Sequence, residues 1–331
     1  MAEAVDDGTH RAVEQRLGRE DPRTAGGQRG SQFMRRIVAD LQATPVDEQV
    51  APAHRTHPRQ VEADVERAFA EDVGSGDATA DLLPADAQAR ATLTCREDAV
   101  IAGIPWFDAC FRKLDPAVTI QWSVRDGERV AAGSVICHLQ GQARALVSAE
   151  RSALNFLQLL SGTATITAAY VAAVAGTAVR VLDTRKTVPG LRLAQKYAVR
   201  CGGGYNHRIG LYDAILVKEN HIAAAGGIAA AVAAARSKHP SLLLEVEVET
   251  LDELRQALDA GVDRIMLDNF TPAMMAEAVG IAAGQVALEI SGNVDLDTIG
   301  EYARTGVDFI SVGALTKHVR AVDLSLRLQM S

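Results

Sequence analysis

Residues 242–249 read LLLEVEVE, and this stretch decides the fold. Side chains of a β-strand alternate between two faces, so Glu245, Glu247 and Glu249 would share one face and the intervening valines the other. We expect the valines to pack against surrounding helices and the glutamates to face the interior of a barrel. Carboxylates buried there need partners, because an unpaired charge is costly away from water.

Five further apolar runs show the same strand-like character, and each is followed by a helix-like stretch. They span residues 179–183, 214–218, 264–267, 286–290 and 309–312. Strand starts recur roughly every 20 to 35 residues, which is the spacing of βα units that build a parallel sheet. Six such units in series predict an α/β barrel, closed or nearly closed.

Polar or glycine residues occupy the ends of almost all these runs. They are Asp183 with Arg185 and Lys186, Lys218, Glu247 with Glu249, Asp268, Glu289 with Ser291 and Gly292, and Gly313. In α/β barrels the active site lies at the carboxyl ends of the strands, so the pattern predicts the site there. Lys186, Lys218 or a metal ion are the expected partners of the glutamates, with a purely structural network of ion pairs as the alternative.

Residues 180–221 are basic inside an acidic chain. They hold eight Lys or Arg against three Asp or Glu, whereas the whole chain has a net charge of −8. Guanidinium and ammonium groups bind carboxylates and phosphates, which predicts a pocket for a multiply anionic small molecule. The acidic balance argues against a nucleic-acid surface. Because the rim also carries carboxylates, it suits a substrate with ribose hydroxyls and a diphosphate held with Mg²⁺.

The first half of the chain has a different pattern. Residues 1–57 are polar and lack a sustained apolar period, so we expect a disordered N-terminal extension. The spacing of Val61, Val65 and Phe69 predicts a short amphipathic helix. Over residues 91–147 short β-like runs alternate with turn signals, which predicts an open, mainly antiparallel sheet with a helix or two.

The four cysteines show no Cys-x-x-Cys spacing, which predicts reduced thiols. A nucleophilic pair of Cys201 and His207 is the alternative. The longest apolar candidate, residues 223–235, is shorter than the roughly 20 residues that span a membrane. Because the N-terminus also lacks the basic start and apolar stretch of a signal peptide, we expect a cytoplasmic protein.

The motifs of the basic segment resemble the quinolinate phosphoribosyltransferase family, also called carboxylating nicotinate-nucleotide pyrophosphorylases. They are DTRKTVPG at 183–190, KYAVRCGGG at 196–204, NHR at 206–208 and KENH at 218–221. The likeness continues in EDVGSGD at 71–77, ERSALN at 150–155, DNF at 268–270 and GALT at 313–316. The chain departs from the family in Glu219, where Asp is more usual, and in its N-terminal extension.

The resemblance implies an incomplete α/β barrel of the type II phosphoribosyltransferase kind and an N-terminal α+β open-sheet sandwich. Residues 58–153 and 317–331 would form the sandwich, and residues 154–316 the barrel. The implied activity transfers the phosphoribosyl group from phosphoribosyl pyrophosphate to quinolinate, with Mg²⁺. The products would be nicotinate mononucleotide, pyrophosphate and CO₂, in NAD biosynthesis. The active site would be shared between subunits of a homodimer or higher oligomer.

The resemblance also implies a role for each matched residue. Quinolinate would be bound by Arg185, His207, Arg208 and, from the neighbouring subunit, Arg151. The catalytic group, which would also bind the phosphoribosyl donor, would be Lys186, Lys218, Glu247 and Asp268, with Mg²⁺ on Glu247 and Asp268 directly or through water. The 5′-phosphate of the donor would lie at Ser291, Gly292 and Gly313.

Three other functions remain open at this point. A related protein of molybdenum-transport operons shares many of the motifs and has no agreed substrate. A barrel aldolase would use Lys218 as a Schiff-base nucleophile at a strand end. A non-catalytic binder of anionic metabolites would hold quinolinate without turning it over.

Overall fold

The computed structural model describes residues 58–330. The predicted N-terminal extension, residues 1–57, lies outside the described residues, and its disorder stays a prediction.

Helices and strands alternate along the described chain. The helices are α1 Pro58–Asp72, α2 Ile104–Leu114, α3 Ala143–Ala173, α4 Arg192–Cys201, α5 Glu219–Ala225, α6 Ile228–Lys238, α7 Leu251–Asp259, α8 Pro272–Ala282, α9 Ile299–Ala303 and α10 Ala314–Lys317. The strands are β1 Gln88–Cys95, β2 Ala99–Val100, β3 Thr119–Trp122, β4 Arg129–Val130, β5 Val135–Gln142, β6 Arg180–Leu182, β7 Ala214–Val217, β8 Leu243–Val248, β9 Arg264–Asp268, β10 Ala287–Ser291, β11 Phe309–Ser311 and β12 Leu324–Met330.

The first layer is an antiparallel sheet with the strand order β12-β1-β5-β3. Alternate residues of β1 are buried, so one face of this sheet joins a core that includes Trp106 and Phe107 of α2. The amphipathic helix predicted around residues 61–69 is α1, which buries Val61, Val65 and Phe69 in the same core. The predicted antiparallel sheet is confirmed.

The second layer is a parallel sheet of six strands in the order β6-β11-β10-β9-β8-β7. Helices follow β7, β8, β9 and β10 in the chain and cover the outside of the sheet. Among the described residues no ladder joins β6 to β7, so the sheet curls without closing. The predicted incomplete α/β barrel is confirmed. Its gap lies between β6 and β7, the two strands that belong to the basic segment of residues 180–221.

Helix α3 belongs to both layers. Leu157 and Leu160 are buried in the core of the antiparallel layer, while Tyr170 near its C-terminal end lies in the barrel core. The helix runs unbroken through residues 153 and 154, and the C-terminal β12 returns to pair with β1. The domain boundaries derived from the sequence therefore stay a prediction.

By length and composition α3 could also cross a membrane, and within residues 58–330 it is the one helix that meets this test. This corrects the expectation that no stretch reaches the necessary length. Buried residues occur along the whole of α3 and contact both layers, as in the core helix of a water-soluble protein.

Candidate active site

The rim of the barrel consists of the carboxyl ends of its six strands. At or next to these ends lie Asp183 (β6), Lys218 (β7), Glu247 (β8), Asp268 (β9), Ser291 (β10) and Gly313 (β11). Parallel strands end at the same edge of a sheet, so residues far apart in the chain meet at one end of the barrel.

Arg185 and Arg208 form a cationic part of this rim. Both are half-buried, and neither forms an ion pair with a carboxylate of residues 58–330. The Nε atom of Arg185 is buried without a hydrogen-bond partner. Burial lowers the pKa of Arg208, and the nearby charge of Arg185 lowers it further. Two like charges held together in this way form a site that an anion would stabilise.

Lys186 and two glycines form another part of the rim. A Cβ added at Gly313 would lie 3.0 Å from Cδ and 3.6 Å from Nζ of Lys186, so the lysine passes directly over this glycine. Gly292 has a φ of 93°, and a Cβ there would lie 2.3 Å from Oδ1 of Asn269. The absence of a Cβ at both glycines therefore allows neighbouring groups to lie close to the backbone. Lys186 adds a positive charge of the kind that binds phosphate.

Lys218 and Glu247 form an ion pair across the ends of β7 and β8, as the sequence predicts for one lysine and one glutamate. Asp268 ends the next strand, and Nδ2 of Asn269 donates to its Oδ2 at 2.7 Å. Carboxylate oxygens on neighbouring strands are the ligands that Mg²⁺ prefers. The donor set of Glu247 and Asp268 therefore fits a magnesium ion that keeps some water or substrate oxygens.

Glu245, Glu247 and Glu249 do not share one environment, which corrects the sequence-based expectation. Glu245 and Glu247 are buried, but Glu249 lies beyond the end of β8 and is exposed. The backbone N–H of Glu249 donates to Glu253 in the first turn of α7, so this residue belongs to the helix start. Lys186 forms no ion pair with any of the three.

Glu245 instead faces Glu289 and His207 in the barrel interior. Nε2 of His207 lies 3.0 Å from Oε2 of Glu245 and 3.4 Å from Oε1 of Glu289, although neither contact is aligned as a hydrogen bond. Arg264 and Ser311 bind the Glu289 carboxylate. Burial and the charge of Glu289 together raise the pKa of Glu245 to about 7.

The two ring nitrogens of His207 face different groups. Its Nδ1 accepts the backbone N–H of Arg208 at 2.7 Å, which leaves the ring proton on Nε2, facing Glu245 and Glu289. Within residues 58–330 these three side chains are the one group of three with ligand atoms close enough, all within 4.8 Å, to hold a metal ion. A protonated Nε2 cannot bind a cation, so the pair Glu247 and Asp268 remains the better magnesium site.

Arg151 lies on α3, away from these residues. It is exposed and lines a polar cleft with Asp72, Asp77 and Ser148, and the cleft contains no residue of the rim. Within the described chain Arg151 forms no ion pair. The structure of one chain thus does not bring Arg151 to the other predicted site residues.

The alternative of a Cys201–His207 nucleophile finds no support. Cys201 is free and buried, and burial raises the pKa of its thiol well above the ordinary value. A nucleophilic cysteine needs the opposite shift. The sequence reasoning also missed the partners that hold the site segments, Asp183, Gln195 and Lys196. Asp183 and Lys196 stood in recognised motifs, but nothing in their spacing indicated that they are buried together.

Comparisons with known proteins match most of the chain. The model of the quinolinate phosphoribosyl transferase N-terminal domain matches residues 77–161, and that of the C-terminal domain matches residues 163–327. A probable nicotinate-nucleotide pyrophosphorylase (carboxylating) of Bacillus subtilis is 40% identical over 264 residues, which are 80% of this chain and 91% of that protein. Quinolinate phosphoribosyltransferase (decarboxylating) 1b of Nicotiana tabacum is 39% identical over 298 residues, 84% of each chain.

Solved structures give the same result. The nicotinate-nucleotide pyrophosphorylase of Francisella tularensis is 49% identical and superposes with a TM-score of 0.81, covering 83% of this chain and 98% of that one. NadC from Streptococcus pyogenes is 42% identical with a TM-score of 0.81, covering 84% of this chain and 99% of that one.

Proposed function

This chain belongs to the quinolinate phosphoribosyltransferase family, and we propose how its rim residues divide the work of that enzyme. The chain transfers the phosphoribosyl group of phosphoribosyl pyrophosphate to quinolinate with loss of CO₂, giving nicotinate mononucleotide and pyrophosphate for NAD biosynthesis. The roles of individual residues, the metal and the oligomer are the proposal.

Quinolinate binds at Arg185 and Arg208. The observation that carries this assignment is that two half-buried guanidinium groups lie close together without a carboxylate partner, one of them with a buried N–H that donates to nothing. A dicarboxylate supplies two negative charges and several acceptor oxygens to such a pair. Because Nε2 of His207 faces Glu245 and Nδ1 accepts the backbone N–H of Arg208, we assign His207 to holding Arg208 and not to the quinolinate contact expected from the sequence.

Phosphoribosyl pyrophosphate binds at the rest of the rim. Lys186 and Lys218 hold its anionic groups, and the 5′-phosphate lies at Ser291, Gly292 and Gly313, where backbone can approach closely. Glu247 and Asp268 would hold Mg²⁺, which would supply positive charge to the diphosphate leaving group. Mg²⁺ is the proposed cofactor because the two carboxylates suit it.

Catalysis then follows from positioning. As the bond from C1 of the ribose to pyrophosphate breaks, Glu247 and Asp268 stabilise the positive charge that develops at C1. The pyridine nitrogen of quinolinate attacks C1 and becomes a quaternary, positively charged nitrogen. The positive charge of that nitrogen stabilises the electron pair left on the adjacent ring carbon when its carboxylate leaves as CO₂, and a proton from water then takes the place of the carboxylate on that carbon. No covalent nucleophile is required, so holding the two substrates in line accounts for most of the rate.

Lys218 is poorly placed for the aldolase alternative. Its amine pairs with Glu247, whereas Schiff-base lysines lie in apolar pockets or beside other cations, and both surroundings lower the pKa of the amine.

The proposed assembly is a homodimer, or a higher oligomer, in which Arg151 completes the neighbouring subunit's site. What supports it is that Arg151 is exposed and without an ion pair among the described residues. The chain is a soluble α/β protein whose long apolar helix is a core helix. We propose a cytoplasmic location; the names of related plant enzymes place those proteins in chloroplasts or mitochondria.

A pyrophosphate-release assay with quinolinate and nicotinate side by side tests the function. Losing one charge-assisted contact costs about 1.5 to 3 kcal/mol, which is roughly ten- to more than a hundredfold in kcat/KM. We expect the reaction of quinolinate to release one CO₂ per pyrophosphate. The kcat/KM for nicotinate should be at least about tenfold lower than that for quinolinate. Arg208→Gln should reduce the preference for quinolinate over nicotinate. The control is Arg236→Gln, which removes a surface ion pair with Asp263 and should leave the preference unchanged. Comparable turnover of both substrates by the unmodified enzyme would contradict the dicarboxylate assignment.

A further inference from the structure

Helix α4 lies directly behind the two cationic segments of the rim. It follows the segment that carries Arg185 and Lys186 and precedes the one that carries His207 and Arg208. Gln195 and Lys196 are consecutive residues of this helix, and both are almost completely buried. Neither side chain faces the rim, so each can affect the substrates only through the residues that it holds.

Lys196 holds the segment of residues 206–208. Its ammonium group pairs with the buried carboxylate of Asp183 and also donates to the carbonyl oxygen of His207 at 2.9 Å. Asp183 in turn accepts the backbone N–H of His207 at 2.8 Å and Nδ2 of Asn206 at 2.7 Å. Asn206 also donates to the carbonyl oxygen of Lys196 at 2.9 Å. Four contacts to Asn206 and His207 therefore set the position of the backbone immediately before Arg208.

Gln195 holds different parts of the rim. Its Oε1 accepts the backbone N–H of Val188 at 2.7 Å, two residues after Lys186. Its Nε2 donates to the carbonyl oxygen of Thr316 at 3.0 Å, three residues after Gly313. The hydroxyl of Thr316 closes the group by donating to the carbonyl oxygen of Lys186 at 2.8 Å. Gln195 and Thr316 together fix Lys186 over Gly313.

The two neighbouring residues thus reach opposite parts of the site. We propose that Lys196, with Asp183 and Asn206, is a positioning residue for the dicarboxylate, and that Gln195, with Thr316, is a positioning residue for the phosphoribosyl donor. This inference rests on the proposed function, since it needs Arg208 to bind one substrate and Lys186 the other. A helix that only supported the fold would affect both substrates alike.

Steady-state kinetics of the full chain, with each substrate varied in turn, separates these cases. Removing Lys196 alone would leave Asp183 as an uncompensated buried charge, so the dicarboxylate variants are Asn206→Ala and the charge-free pair Asp183→Asn with Lys196→Met. The donor variants are Gln195→Met and Thr316→Val, which remove hydrogen bonds without burying a charge. Each set is the matched control of the other, because both remove contacts behind the same rim.

We expect the dicarboxylate variants to raise KM for quinolinate roughly tenfold and to leave KM for phosphoribosyl pyrophosphate within about twofold. The donor variants should raise KM for phosphoribosyl pyrophosphate roughly tenfold and KM for quinolinate by a smaller factor, because Arg185 directly precedes Lys186 in the segment that they hold and a displacement of about 1 Å can cost up to a hundredfold. Equal changes in both KM values, or loss of thermal stability with unchanged KM values, would overturn the inference.

Arg208→Ala and Lys186→Ala, measured in parallel, distinguish a failure of the inference from a failure of the proposed function. If Arg208→Ala raises KM for quinolinate but Asn206→Ala does not, the positioning role is wrong and the site assignment stands. If Arg208→Ala leaves KM for quinolinate unchanged, the positioning role of Lys196 and the assignment of quinolinate to Arg208 are both wrong, because the segment that Lys196 holds does not bind that substrate.

Discussion

Replacing Gly292 by alanine tests whether close approach at the end of β10 serves the phosphoribosyl donor. The backbone φ of 93° at Gly292 lies in the region that disfavours any side chain, which costs about 1 to 2 kcal/mol. The new Cβ would also lie 2.3 Å from Oδ1 and 3.2 Å from the backbone nitrogen of Asn269. An ordinary contact is 3.4–4 Å, so the Asn269 side chain must move by about 1 Å.

That movement reaches the proposed magnesium and ribose site. Nδ2 of Asn269 donates to Asp268 at 2.7 Å, and its Oδ1 accepts from Asn293 at 3.3 Å. We expect Gly292→Ala to raise KM for phosphoribosyl pyrophosphate tenfold or more and to leave KM for quinolinate within about twofold, because a 1 Å misplacement can cost up to about a hundredfold. The melting temperature should fall by about 2 to 4 °C per kcal/mol of strain.

Gly284→Ala is the matched control. Gly284 has a φ of 74°, and an added Cβ would meet nothing within 4 Å. This variant should lose a similar amount of thermal stability and keep both KM values, measured by pyrophosphate release at saturating Mg²⁺. If Gly292→Ala changes stability as Gly284→Ala does and changes neither KM, Gly292 is only a turn residue and its assignment to the phosphate site is refuted.

Three further predictions concern the assembly, the metal and the stability of the chain. The Arg151→Ala and Lys186→Ala enzymes should each be nearly inactive. After verified subunit exchange, an equal mixture of the two should reach about a quarter of full activity, because half of the dimers are mixed and each mixed dimer has one intact site. Activity that stays at the level of the single variants would place the whole site in one chain. Chelation of Mg²⁺ should abolish pyrophosphate release, and Glu247→Gln should raise the Mg²⁺ concentration needed for half-maximal rate; a rate independent of Mg²⁺ would exclude the metal role. A hydrogen bond from Arg236 lowers the pKa of Asp263, so their ion pair stabilises the fold above about pH 4, the unfolded-state pKa of Asp, and this stabilisation is lost as pH falls through the lower folded-state pKa. The Asp263→Asn variant should therefore be about 0.2 to 1 kcal/mol less stable than the unmodified protein at pH 7, and the difference should disappear in acid. A difference in stability that stays constant at all pH values would contradict the argument.

Much of the fold and the general position of the site could be predicted from the sequence. The order of apolar residues along the chain shows directly both the period of two within a strand and the regular spacing of successive strands. The six parallel strands and the antiparallel sheet were therefore predicted correctly. The polar residues at strand ends then had to meet, because the ends of parallel strands share one edge. That rule made Lys186, Lys218 or a metal ion the expected partners of the glutamates, and in the structure Lys218 pairs with Glu247.

The sequence by itself thus determined the class of fold, the rim and the family, whereas the tertiary structure decided which polar groups touch. Glu245 and Glu249 have the same position in the strand period, but β8 ends at Val248, so one is buried beside His207 and the other begins a helix. Likewise α3 is apolar enough for a membrane, and only its burial between two layers makes it a core helix. The physical reason is that periodicity reports which face a side chain occupies. Burial, partners and charge depend on where elements end and on what distant segments bring to that face.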